Sequence, residues 1–300
     1  MAKPSRRLTG LAKYVHQYEP HIRASLKAIY SGQTFSYNRT LERQEAAKAG
    51  AMRWNPELAE GFHKDWADVD DHRASVACVL EQVRARIWVL GEVLKSLPAD
   101  HSDVHHVTFA NTRDRRAAGN LSAFKLHVYK RKLRTSLANL KAIHPNMWAL
   151  GIVEISAVEP EPDRFVFEPH FHIIVGGVPE IELRKAFNKL LSTATKGSHG
   201  LMLKSIRDRK HLGGTVSYLF KFEPELRTKF LTAEGRVGKG RPNRLTGDAK
   251  DEWLSWAAEY RIDELLITVG LWPDLIANFK SCGLQRLIEK LPQGRQRDAS

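Results

Sequence analysis

Apolar and polar positions alternate along this chain with two different periods. In residues 72–97, HRASVACVLEQVRARIWVLGEVLKSL, Val76, Val79, Leu80, Val83, Ile87, Leu90 and Leu94 recur at helical spacing, and Pro98 follows as a stop. TLERQEAAKAG, over 40–50, predicts a weaker helix. From residue 104 the period shortens. VHHVTFA (104–110) reads as a strand, followed by the basic, turn-rich loop NTRDRRAAGN. LSAFKLHVYKRKLRTSLANLKAI (121–143) reads as a helix with a heavily basic face, and MWALGIVEIS (147–156) as a strand. A loop holding Pro160 and Pro162 leads into a second strand, FVFEPHFHIIVGG (165–177), completing a hairpin. Beyond it lie a helix over 180–194, a strand over 201–208 and a short helix over 214–222, GTVSYLFKF. Past Pro224, GRVGKGRPNRLTGD reads as a mobile loop. DEWLSWAAEYRIDELL (251–266) follows as a helix whose Trp253, Trp256 and Tyr260 form a core stripe, and the tail from Pro292 is polar and reads as disordered.

This order predicts an α+β protein: a central antiparallel sheet with flanking helices over residues 101–225, a helical N-terminal region over 1–100, and a C-terminal part over 226–300 made of the basic loop, one helix and the tail.

Composition narrows the class. The 300 residues are 42% hydrophobic and 27% charged, as in a globular protein, and no apolar run approaches the roughly 18 residues of a membrane span. MAKPSRRLTG has no apolar segment after its positive charges, so no secretory signal is expected. Only Cys78 and Cys282 occur, which argues against a disulfide framework and fits a reducing cytoplasm. Lys+Arg number 47 against 34 Asp+Glu, a net charge of +13 with a pI near 9.8. Such a surplus points to a polyanionic partner, nucleic acid first, although a basic but otherwise ordinary enzyme has the same balance.

The strand over 165–177 carries the first candidate chemistry. His170 and His172 stand two residues apart and so project from one face, while Phe171, Ile173 and Val175 face the other way. Two neutral imidazoles at that separation converge on one metal ion. The structural alternative is a histidine pair bonded to backbone in a half-exposed sheet. A third ligand has two candidates. Glu168 shares the face but lies about 13 Å along the strand from His172. Glu154, in the preceding strand between Val153 and Ile155, meets the histidines across a hairpin, and a carboxylate there is costly without a partner. Two nitrogens and one oxygen with open positions suit Mn²⁺ or Mg²⁺, with Zn²⁺ also admissible.

Downstream, Tyr218 and Lys221 share a helical face at i, i+3. A nearby ammonium favours phenolate, and tyrosine serves as a covalent nucleophile. Alone, the pair reads rather as a packed tyrosine beside a snorkelling lysine. In combination, a basic chain, PHFH on a strand, a glutamate on the strand before and YLFK downstream resemble the HUH endonuclease superfamily. The likeness is greatest to its rolling-circle replication initiators, in which the tyrosine follows the histidines. HVTFA resembles the family's less specific first motif, and the match spans about residues 103–225.

The resemblance implies a central antiparallel sheet and a divalent ion on His170, His172 and Glu154. Tyr218 would form a 5′-phosphotyrosine on single-stranded or hairpin origin DNA, with Lys221 steadying the phosphate or lowering the tyrosine's pKa. It implies DNA as partner, with a host helicase or polymerase beside it, and replication of a plasmid or phage-like element. A transposase of the same superfamily, or a DNA-binding protein that keeps the fold without cutting, fits the same residues. Some initiators carry a glutamate four residues before the nucleophile; that position here is Gly214, and Tyr260 is too distant for a paired-tyrosine helix. The cation clusters offered to DNA are Arg113, Arg115 and Arg116 after the first strand; Lys130 and Arg131 in the basic helix, with Lys125, Lys132 and Arg134; and Lys204, Arg207 and Arg209 with Lys210 before the tyrosine.

Overall fold

A computed structural model describes residues 75–93, 96–97, 103–161, 164–191, 200–222, 224–231, 237–240 and 243–270, with isolated positions at 49, 53, 56, 276, 277 and 279. Of the helix expected over 40–50 only residue 49 is described, and it is helical; the tail from Pro292 lies outside the described residues.

The first described helix, α1 (Val79–Trp88), continues as a π-helical turn, Val89–Val93. Strand β1 (Val104–Ala110) follows, then a 3₁₀ turn (Thr112–Asp114) and the two-residue β2 (Arg116–Ala117), which pairs with a later strand where the sequence reads only as loop. After another 3₁₀ turn comes α2 (Leu126–Ile143), in which Leu126, Tyr129, Leu133, Leu137 and Leu140 form the buried stripe.

β3 (Trp148–Glu161) and β4 (Arg164–Gly176) form the long hairpin at the centre of the sheet, and β3 runs through Pro160, farther than its sequence pattern indicates. Gly151 is required in it: a Cβ there would stand 2.7 Å from Ile173 Cγ1 and 2.9 Å from the His172 carbonyl. Next come α3 (Glu180–Asn188), β5 (Leu201–Ser205), α4 (Arg209–Leu219) and β6 (Glu225–Leu231). The segment read as a mobile loop contains β7 (Val237–Lys239) and β8 (Asn243–Arg244), both paired with β6. The helix expected over 251–266 is interrupted at Tyr260–Arg261, giving α5 (Gly247–Glu259) and the single turn α6 (Ile262–Leu265), and its last residue opens strand β9 (Leu266–Val269). Trp253 and Trp256 of α5 are buried.

Among the described residues the strands run β5-β1-β4-β3-β6-β7, with β2 on β4, β8 on β6 and β9 on β3. The sheet is mixed and open, not purely antiparallel. β1, β4, β5 and β9 are antiparallel to their neighbours, but β6 runs parallel to β3 at Ala157–Glu159. β3 therefore holds β4 along one edge and shares the other between β9 and β6, so the sheet does not end at residue 225. The α+β class stands, and no described helix is long and apolar enough to cross a membrane.

Both sheet faces are covered. On one, Phe109 and Phe171 meet Phe187 of α3 and Tyr129 of α2, whose ring stacks on Phe171 at 4.3 Å. On the other lie α4 and the end of α1, with Trp88 against Phe220.

Candidate metal and tyrosine site

The hairpin register places Glu154 directly opposite His170, and His172 lies one pleat farther along the same face. Glu154 Oε2 is 3.6 Å from His170 Nε2 and 3.2 Å from His172 Nε2. Ligand atoms of all three residues lie within 4.8 Å of one another, a triad able to hold one metal ion.

The other ring nitrogens are anchored. His170 Nδ1 lies 3.1 Å from the Glu168 carbonyl. A carbonyl only accepts, so Nδ1 carries the proton and, on a neutral ring, Nε2 carries the lone pair. His172 Nδ1 meets Thr108 Oγ1 at 3.2 Å and His106 Nε2 at 3.3 Å. Burial pushes His172 down to about 4, only partly offset by Glu154, so its ring is neutral at pH 7. Its Nε2 is buried with no hydrogen-bond partner among the described residues.

The carboxyl of Glu154 is disfavoured by burial, yet the Lys221 ammonium, and after it His170, hold it well below the usual range. With the His172 proton on Nδ1, where Thr108 Oγ1 can accept it, the lone pair of Nε2 faces an ionised oxygen across 3.2 Å, a contact that a cation between them relieves. Two ligands each about 2.1 Å from an ion stand about 3 Å apart when adjacent in its shell, so the residues present fit a divalent metal.

Tyr218 and Lys221 complete the site. α4 ends at Leu219, so Lys221 lies just past the helix, in a turn closed by its N–H donating to the Tyr218 carbonyl at 3.3 Å. Phe222 adopts a left-handed φ of 48°, and the Arg86 guanidinium of α1 donates to the Lys221 carbonyl. Lys221 Nζ is 2.7 Å from Glu154 Oε1, 3.0 Å from Glu225 Oε1, and donates to the Tyr218 hydroxyl at 3.3 Å. Burial works against the ammonium, but Glu154, then Tyr218 and Glu225, hold its pKa above the ordinary value. The Tyr218 ring stands edge-on to His172 at 5.0 Å.

The phenol is not activated here. Burial, reinforced by Glu154, pushes Tyr218 up to about 12 against the opposing pull of Lys221. Lys221 does pull the tyrosine's pKa down, as expected, but desolvation outweighs one ammonium already shared by two carboxylates.

Comparison with family models, with curated proteins and with solved structures returned no match.

The structure separates the remaining candidates. Glu168 turns its carboxylate to Arg115, whose Nε donates at 2.6 Å, so its contribution to the triad is the carbonyl that orients His170. Lys130 does not belong to a DNA surface. It is 3% exposed, its ammonium donates to the Glu264 and Leu266 carbonyls, and burial brings its pKa down to about 7. Arg113, Arg131, Lys204 and Arg207 are exposed; Arg115 and Arg116 are half-buried, and Arg116 donates to the Asp114 and Arg115 carbonyls. Arg209 opens α4, and its side chain lies outside what the structure describes. Lys204 pairs with His106 in register and so shares the triad's face. Tyr260 donates to the Phe124 carbonyl, away from the triad.

His106, Thr108 and Glu225 were not singled out from the sequence. Alternation in VHHVTFA already puts His106 and Thr108 on one face, and Glu225 stands four residues after Lys221; these were the legible signals.

Proposed function

We propose that this chain is a metal-dependent, single-tyrosine DNA-nicking and strand-transfer enzyme, a rolling-circle initiator of a plasmid or phage-like element. One observation carries the reading: a single buried ammonium, Lys221, joins the Tyr218 hydroxyl to the carboxylate of a Glu-His-His triad. Packed phenols do not need a metal-competent triad beside them, and the basic surface supplies the affinity for a phosphate backbone.

His170, His172 and Glu154 Oε2 would hold the ion. When bound, a divalent ion supplies Lewis-acid polarisation of a phosphate oxygen. Tyr218 Oη attacks phosphorus in line as the phenol releases its proton; the P–O3′ bond breaks, and the 3′ oxygen takes up a proton to become a free hydroxyl. Lys221 is a positioning residue that keeps Glu154 ionised and aimed, and touches the nucleophile's oxygen. Arg86 fixes the turn from which Lys221 projects.

A second reading, a DNA-binding protein of the same build that does not cut, draws on the high pKa of Tyr218. Incubation with single-stranded origin DNA and Mn²⁺, followed by denaturing electrophoresis, tests both. A denaturant-resistant adduct that Tyr218→Phe abolishes, and that His170→Ala with His172→Ala also abolishes, supports the enzyme. DNA and Mn²⁺ binding with no adduct supports the second reading, and an adduct surviving Tyr218→Phe overturns the nucleophile.

A further inference from the structure

On the face of the sheet opposite the triad lies a cleft of about 210 Å³ between the 3₁₀ turn after β1 and the first turns of α2. Its floor is aromatic but nearly closed: Phe109, Phe124 and Phe171 are buried and Tyr129, stacked on Phe171, is 9% exposed. Its rim carries Arg113, Lys125 and Lys132, all exposed, and one acid, Asp114. Val128 lies on the mouth with 42% of its surface exposed, an apolar contact presented to solvent among cations. No acidic residue occupies the first turn of α2, so the positive end of its dipole adds to the same field.

A small apolar cleft under a cationic rim has the chemistry of one nucleotide: a base against Val128 above the closed floor, and a phosphate for the cations. The volume is below the roughly 300 Å³ where pockets for drug-sized ligands begin, which suits a single base. Asp114 places an acceptor at the rim, which a base with an exocyclic amino group can meet and thymine cannot meet in that way. Phe171 stands between His170 and His172 in β4 and points away from them, so cleft and triad are served by one strand across the sheet's thickness.

We propose that this cleft holds one unstacked nucleotide of the bound single strand, at a distance from the phosphate to be cut, with preference for cytosine or adenine over thymine. This rests on the nicking reading for its choice of ligand, but not for its test.

Full-length protein is irradiated with single-stranded oligonucleotides carrying 5-iodocytosine at each position in turn, without metal, and crosslinked peptides are mapped. We expect crosslinks in residues 124–129 in wild type and equally in Tyr218→Phe, lost in Val128→Glu. In parallel, Lys125→Gln with Lys132→Gln should make the slope of log affinity against log salt shallower by about 1.4 on a single strand. Neither readout needs cleavage, so failure of the nicking reading leaves both intact. Crosslinks indifferent to Val128→Glu, or a slope unchanged by the double variant, overturn the cleft. Free dCMP competing as well as the strand overturns the strand as its ligand and leaves a free-nucleotide pocket.

Discussion

Lys221 carries the most informative single substitution. Its Nζ lies 2.7 Å from Glu154 Oε1 and 3.0 Å from Glu225 Oε1, with the side chain 2% exposed. At an effective dielectric of about 20, each contact represents about 5–6 kcal/mol of gross attraction, much of it offset by desolvation. Lys221→Met removes the cation and leaves the carboxylates. Glu225 retains Arg227 at 3.3 Å, so the loss falls chiefly on Glu154, which keeps only the two imidazoles. Breaking a buried pair from one side costs about 3–5 kcal/mol, and Arg227 places this case near the lower end. Urea unfolding in EDTA should show that loss. With saturating Mn²⁺ the gap should narrow, because a metal on Oε2 compensates the orphaned carboxylate. Calorimetric titration should show Mn²⁺ binding at least about tenfold tighter, about 1.4 kcal/mol, since a competing positive charge is gone. Equal stability in EDTA would refute the ion-pair role; unchanged Mn²⁺ binding would refute the shared carboxylate, and weaker binding would mean that Glu154 takes up a proton once the ammonium that keeps it ionised is gone.

Three further outcomes are expected. Burial holds Lys130 at about 7 in the folded protein against about 10.4 unfolded, so between those values the unfolded chain binds more protons and stability rises with pH. Wild type should therefore gain on Lys130→Met from pH 7 to pH 10 in parallel denaturation curves, and a constant difference would count against it. Gly151→Ala pushes a methyl against Ile173 and the His172 carbonyl, so stability should fall by about 1–3 kcal/mol and Mn²⁺ binding should weaken with it; a neutral variant would mean that β3 and β4 can separate freely. Single-strand binding should weaken steeply with salt. Lys204→Gln should make the slope shallower by about 0.7, and Lys130→Gln should leave it unchanged; a steep loss at Lys130 would contradict its burial.

What the sequence determined is local. Side chains alternate along a strand regardless of its neighbours, so His170 and His172 on one face, and Phe171 on the other, were readable from PHFH alone. Glu154 was readable too, because two strands joined by a short loop pair as a hairpin and burial of an isolated carboxylate is costly. The buried stripe of α2 belongs to the same local order, whereas Tyr218 and Lys221 meet without sharing a helical face, since α4 ends at Leu219 and Lys221 reaches the phenol from the turn beyond.

What only the tertiary structure decided is long-range. β6 lies parallel to β3 at Ala157–Glu159; a strand's partner is chosen by chain topology, which no local period encodes. β9 pairs with β3 just past the segment 251–266 that reads as one helix, taking only Leu266 from it, since a short apolar run fits either state until a neighbouring edge is present. Lys130 sits in a basic run that looks solvated throughout, yet it reaches two carbonyls supplied by residues more than 130 positions away. The tyrosine's ionisation followed the same logic: Lys221 was visible as a neighbour, but the desolvation that raises Tyr218 to about 12 exists only once α4 closes over the sheet.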